Sequence, residues 1–203
     1  TLTEVAQYEG ATAMHLKSVR IKEQLKDTLG LLQSFNNIAI VFRRAKEFDR
    51  AISYYERSRD LAMQLKNFSA LGLNAVNLAV VHIEKQATDS VADLFEASLT
   101  YFSKVNDIRG LGLAYHNYGN FMLDEGQLAQ AEHLMEKALA FRKKIGSNIE
   151  IASTLSNLGR LKLTAGDLVA AEKYLLDAEQ RIDTAHRTAY LKDLYSHLVK
   201  LYA

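Results

Sequence analysis

One spacing governs the chain. The segment FNNIAIVF around Asn37 is followed 40 residues later by AVNLAVVH, then by YHNYGNFM, LSNLGRLK and YSHLVKLY at the same interval. Their third letters are Asn37, Asn77, Asn117, Asn157 and His197, with no insertion or deletion between them. A strict repeat of this length marks stacked supersecondary units, none of which can bury its apolar face alone. Full units occupy residues 28–67, 68–107, 108–147 and 148–187, with partial units at 1–27 and 188–203. The expectation is one repeat domain over residues 1–203.

The columns of the repeat say what each unit builds. Leu31, Leu71, Leu111, Ile151 and Leu191 open an apolar stripe. Phe35, Ala75, Tyr115, Leu155 and Tyr195 continue it four residues on, and Ile38, Leu78, Tyr118, Leu158 and Leu198 three further. That spacing is one face of an α-helix, here called helix A. A second helical stripe, helix B, holds Ala51, Val91, Ala131 and Ala171, then Tyr55, Phe95, Met135 and Leu175, then Ser58, Ser98, Ala138 and Ala178. Leu25, Leu65, Val105, Ile145 and Ala185 are expected to close that face near the end of helix B. Small residues at Ala39, Ala79, Gly119 and Gly159 predict a close crossing of A over B.

Turn chemistry agrees. Gly126 and Gly166 punctuate the A–B turn, in the column of Lys46 and Gln86. Asp27, Asn67, Asp107 and Ser147 precede helix A as N-cap residues, whereas Arg187 breaks that column. Gln86 together with Val91 predicts looser A–B packing in the second full unit, and Thr1–Ala6 reads as the end of an A helix. With proline absent, a loop-rich β architecture is disfavoured, and the fold class is all-α. Cysteine is absent too, which removes disulfides, thiolate zinc sites and cysteine nucleophiles and leaves the compartment open. Twenty-five basic against 24 acidic residues favour neither nucleic acid nor an anionic membrane as partner. No apolar run approaches the ~18 residues of a membrane-spanning helix, so membrane insertion is not expected.

With these columns in place, the sequence resembles the tetratricopeptide repeats. Their pattern of small, small, large apolar and small residues is matched by Gly119, Ala131, Met135 and Ala138, and again by Gly159, Ala171, Leu175 and Ala178. The usual repeat is about 34 residues long and ends near a proline. The 40-residue, proline-free unit is similar to the long-repeat branch found in kinesin light chain, in Rap-type regulators and in N-terminal regions of bacterial signalling proteins. The resemblance implies a right-handed α-solenoid of antiparallel helix pairs whose A helices line the concave surface.

On such a surface the asparagine ladder, Asn37, Asn77, Asn117 and Asn157, is the sharpest candidate site. A carboxamide holds a donor and an acceptor side by side and can pair with both N–H and C=O of an extended peptide. With helices ~10 Å apart, the ladder spans ~30 Å, or roughly nine extended residues. The same asparagines could instead bond a neighbouring helix and set the spacing between repeats. Helical spacing adds Asn36, Val76 and His116 before the ladder, Val80, Asn120 and Arg160 after it, and Arg44, Glu84 and Asp124 farther along. This mixed surface poorly matches the version of the family that grips an acidic C-terminal peptide with paired lysines and arginines. A partner with an apolar anchor near Val76, Val80 and Ile83 fits it better.

Other constellations are weaker. His133 and Glu136 share a helical turn beside Glu132 without a second ligand pair, so a solvated face is the better reading. Gly110 and Gly112 lack the spacing and the strand of a phosphate loop. No ordered catalytic triad is visible, and the expectation is a non-enzymatic protein without cofactor or metal. The terminal units lack polar caps. The chain therefore reads as a segment of a longer protein, or as one whose ends pair with another copy. The leading reading is an interaction module that holds a peptide or protein segment. The alternative is a sensory region controlling a fused kinase, diguanylate cyclase or transcription regulator.

Overall fold

The structure, a computed structural model, describes residues 2–182, with side chains from Met14 onward, and beyond them Ser196 and Val199. Ala185, Arg187, Leu191, Tyr195, His197 and Leu198, named above, lie outside the described residues. Among the described residues nine α-helices follow one another without a strand: α1 (Leu2–Gln24), α2 (Thr28–Arg44), α3 (Phe48–Gln64), α4 (Phe68–Glu84), α5 (Val91–Lys104), α6 (Ile108–Asp124), α7 (Leu128–Ile145), α8 (Asn148–Thr164) and α9 (Leu168–Gln180). Helices α2, α4, α6 and α8 are the A helices of the full repeats, and α3, α5, α7 and α9 the B helices. Two compact units result, Thr1–Asp107 and Ile108–Ala203, divided at a repeat boundary. No described helix is long and apolar enough to cross a membrane.

Within each unit consecutive helices pack antiparallel. Along α2, Leu32 meets Ser58, Phe35 meets Tyr54 and Phe42 meets Arg50, so one helix advances as the other retreats. In the second unit Gly112 lies against Arg142 and Gly119 against Met135 in the same sense. The close A–B crossing is there. A Cβ added to Gly119 would sit 2.8 Å from Met135 Cγ, and one added to Gly159 2.5 Å from Leu175 Cδ2. Ala51, Tyr55, Phe95, Ala131, Met135, Ala171 and Leu175 are wholly buried, as the B stripe requires.

The turns carry a period of their own. Lys26, Lys46, Lys66, Gln86, Asn106, Gly126, Gly146 and Gly166 all have positive φ, one every 20 residues, so both the A–B and the B–A turns pass through the left-handed region. Asp27 Oδ1 accepts from Gly30 N at 2.8 Å, and Asn67 Oδ1 from Ala70 N at 3.1 Å, as expected of N-caps. Ser147 occupies the same position without a side-chain cap bond, and the Asp107 carboxylate accepts the Ser69 hydroxyl at 2.9 Å.

Three expectations are corrected. Thr1–Ala6 is not the end of a separate A helix, because α1 runs unbroken from Leu2 to Gln24. Ala6 and Gln7 fill the turn columns there, and alanine favours continued helix over reversal. Leu25, Leu65 and Val105 are exposed rather than closing the B face. Antiparallel register sets Leu65 opposite a point before α2 begins at Thr28, so no A helix covers it. The buried residues near that end are instead Ala62, Phe102, Arg142 and Ile182. Finally, the α4–α5 packing is closed. Val91 and Phe95 are wholly buried, and Gly72 lies directly against the Phe102 ring. The irregular sequence is absorbed by a longer turn between Glu84 and Val91, which shortens α5 to 14 residues.

Candidate functional site

In the first unit the ladder divides between two environments. Asn37 is exposed and makes no hydrogen bond among the described residues, whereas Asn77 donates from Nδ2 to Asn36 Oδ1 at 3.0 Å and so ties α4 to α2. Val76 is only 2% exposed and belongs to the core, while Val80 and Ile83 are half-buried. An apolar anchor therefore cannot reach Val76 as the sequence suggested, because its side chain is buried. Farther along, Glu84 pairs with Arg43, and Arg44 is exposed.

A cavity of about 230 Å³ opens between α2 and α4, lined by Leu32, Gln33, Asn36, Asn37, Ser58, Ala70, Leu73 and Asn74. Asn74 is 2% exposed. Its Nδ2 donates to Ala70 O at 3.0 Å and to Ser58 Oγ at 3.3 Å, and Ser58 in turn donates to Leu32 O. The Asn74 Oδ1 has no partner. A buried carboxamide whose acceptor is unused carries a desolvation cost of about 1–3 kcal/mol.

The second unit places the same columns in a different chemistry. Asn117 Nδ2 donates to Leu113 O of its own helix at 2.9 Å, and Asn157 is half-buried without a hydrogen bond among the described residues. His116 is buried. Its Nε2 lies 3.3 Å from Asn120 Nδ2 and 3.5 Å from Ser153 Oγ, and its Nδ1 lies 3.5 Å from Thr154 Oγ1. Because Asn120 Nδ2 can only donate, this network assigns the imidazole proton to Nδ1. Burial, reinforced by the positive charges of Arg142 and Arg160, pushes the His116 pKa down to about 3, so the ring is neutral near pH 7. Asp124 forms an ion pair with Arg160 Nη1 at 3.1 Å. The Asn120 Oδ1 and the Arg160 Nε are both buried with no hydrogen-bond partner.

Sequence reasoning missed the polar column three residues before the ladder. Ser34, Asn74 and Thr154 stand there on an otherwise apolar face, with Ala114 as the exception. Two cations serve this column. Lys22 Nζ donates to Gly30 O at 3.2 Å and Ser34 Oγ at 2.7 Å. Arg142 Nη1 donates to Glu150 O at 2.8 Å and Thr154 Oγ1 at 2.7 Å. Recurrence of polar residues at three of four repeat positions was the available signal. Of the sequence's other candidate, Glu132 forms an ion pair with Lys162, and His133 is exposed. No group of three or more His, Cys, Asp or Glu among the described residues could hold a metal ion.

Two family models, both described as tetratricopeptide repeat, match residues 31–62 and 110–182, which together make up more than half of the chain. The chain is also similar to a solved structure, the crystal structure of BtubC (BKLC) from P. vanneervenii. The match covers 88% of this chain and 74% of that one, with a TM-score of 0.76 and 18% sequence identity, a likeness of fold. No curated protein matches the sequence significantly. Repeat period, helix pairing and matched models agree: the chain belongs to the tetratricopeptide repeat family.

Proposed function

We propose that this chain is a protein-interaction module that holds an extended peptide segment where the A helices within a unit meet. Tetratricopeptide repeats generally serve as non-enzymatic modules for protein–protein interaction, and the finer reading rests on this chain's own groups. The observation that carries it is the cavity of about 230 Å³ between α2 and α4, at whose wall the exposed Asn37 carboxamide leaves both a donor and an acceptor unused. A peptide group offers the complement of both, an N–H to donate and a C=O to accept. The exposed Gln33, one turn earlier on α2 and lining the same cavity, adds unused capacity of the same kind. Pairing through backbone groups tolerates many peptide sequences, so affinity would come from several rungs rather than from one deep pocket.

The test is binding of an immobilised peptide array by the parent chain beside a Gln33→Ala, Asn37→Ala double variant, with circular dichroism to show that both are helical. The expected result is that the variant loses about tenfold or more in affinity, the equivalent of one or two buried hydrogen bonds. Equal binding by both chains, or none by the parent, overturns the reading.

A further inference from the structure

The first unit holds a second cavity, of about 590 Å³, lined by Arg43, Arg44 and Lys46 at the end of α2, by Phe48 at the start of α3 and by Glu84 at the end of α4. Its charges do not balance. Arg43 and Glu84 pair with each other. The nearby carboxylates are also engaged, Glu47 with Arg50 and Asp49 with Lys85. Arg44 and Lys46 are exposed, and neither meets a carboxylate among the described residues, so two cations are left in surplus on one wall. Phe48, half-buried, supplies an apolar wall.

Lys46 is there against the preference of its turn. It has φ 61°, in the region where an L-residue costs about 1 kcal/mol and glycine costs little. Gly126 and Gly166 fill the same column in the second unit. Glycine would make this turn more easily, but it would bring no ammonium group to the cavity.

We infer that this cavity selects an acidic side chain of a bound peptide, with its carboxylate against Arg44 and Lys46 and a neighbouring apolar side chain against Phe48. This rests on the peptide-binding reading above and adds a preference to it. The apolar contact moves from the buried Val76 to Phe48, and the recognition element is a side-chain carboxylate. Two solvent-exposed ion pairs give a modest and salt-sensitive gain. The role is to choose among peptides and fix their register rather than to supply most of the affinity.

The experiment uses three pools of otherwise random peptides, with Glu-Leu, Gln-Leu or Lys-Leu fixed at the centre, titrated against the parent chain and an Arg44→Glu, Lys46→Glu variant. The parent is expected to favour the Glu pool over the Gln pool by about fivefold at low salt, a preference that fades in high salt and turns toward the Lys pool in the variant. Peptides that bind the parent without any preference for Glu overturn this inference and leave the peptide-binding reading standing. An acidic preference that persists unchanged in the variant overturns it too, because other cations would then be responsible. Failure of every pool to bind the parent overturns both.

Discussion

The two compact units build the same repeat with different residues. In the first, the left-handed turn positions are Lys26, Lys46, Lys66, Gln86 and Asn106, with φ of 51–61°. In the second they are Gly126, Gly146 and Gly166, with φ of 74–78°. The small residue where A crosses B is alanine in one, with Ala39 in the same core cluster as Tyr55, and glycine in the other, Gly119 beside Met135 and Gly159 beside Leu175. The rung between A helices is a neutral amide pair, Asn36 with Asn77, in one, and a buried imidazole with its polar neighbours in the other. The period is held constant while the load shifts. The first unit accepts strained turns and fills its crossings with aromatic rings. The second relaxes its turns and crossings and buries His116 and Arg142 instead.

Gly119→Val gives the largest expected separation of the two. Its Cβ would meet Met135 Cγ at 2.8 Å and the Ala131 carbonyl oxygen at 3.3 Å, and valine adds two methyls to that crowding. We expect a loss of about 3 kcal/mol, at the upper end for overpacking, read as a lower urea midpoint. Amide exchange should speed up in α6 and α7 while α2 and α3 keep their protection, because stability is local to cooperative units. The matching change in the first unit, Ala39→Gly, removes one methyl from the core cluster that holds Tyr55 and is expected to cost about 1 kcal/mol. Equal effects from the two substitutions would erase the contrast between a glycine crossing and an alanine crossing.

Acid should separate the units next. The folded His116 pKa is pushed down to about 3, against about 6.5 when unfolded. Below pH 6.5 the unfolded chain therefore takes up a proton that the folded chain refuses. The stability of the second unit is complete above that point and declines as pH falls toward 3. Between pH 6.5 and 4.5 the loss from this group is about 2 kcal/mol. His116→Asn, which gives the second unit the residue found at Asn36 in the first, should flatten the dependence. Urea unfolding followed by amide exchange at both pH values measures it, and an unchanged slope in the variant would assign the acid sensitivity to the carboxylates.

Most of the fold was legible because a strict period multiplies weak signals. One Asp27 or one Gly119 says little, but the same kind of residue at fixed intervals names a cap and a crossing. The end of helix B misled for a physical reason. Leu65 lies on the B stripe by spacing, yet the antiparallel partner has not begun opposite it, and periodicity along one helix says nothing of where the next one starts. The site was legible only in part. The column of Asn36, Val76 and His116 was placed on the right helices, but Val76 and His116 turn into the contact between helices. Which members of a ladder are already satisfied, as Asn77 and Asn117 are, depends on distances of a few tenths of an ångström that no spacing encodes. The surplus of Arg44 and Lys46 was equally hidden, since it appears only once Glu84, Glu47 and Asp49 have found their partners.

The smallest effect probes the turns themselves. Lys66 and Gly146 occupy the same B–A turn column, at φ 51° and 76°. Lys66→Gly relieves about 1 kcal/mol of left-handed strain and adds about 0.5 kcal/mol of unfolded-state entropy, for a net gain of about 0.5 kcal/mol. Gly146→Lys should lose about 1 kcal/mol, because a side chain at φ 76° is strained even though a Cβ there meets nothing within 4 Å. Thermal midpoints should move in opposite directions, upward by a degree or two in the first variant and downward by more in the second. If both fall, Lys66 contributes something beyond its turn, and its exposed position leaves its own side-chain charge as the cause. In that case the lysines at positions 26, 46 and 66 would form a positively charged series whose turn strain is offset by what their ammonium groups do, and Lys46 at the cavity would be one member of it.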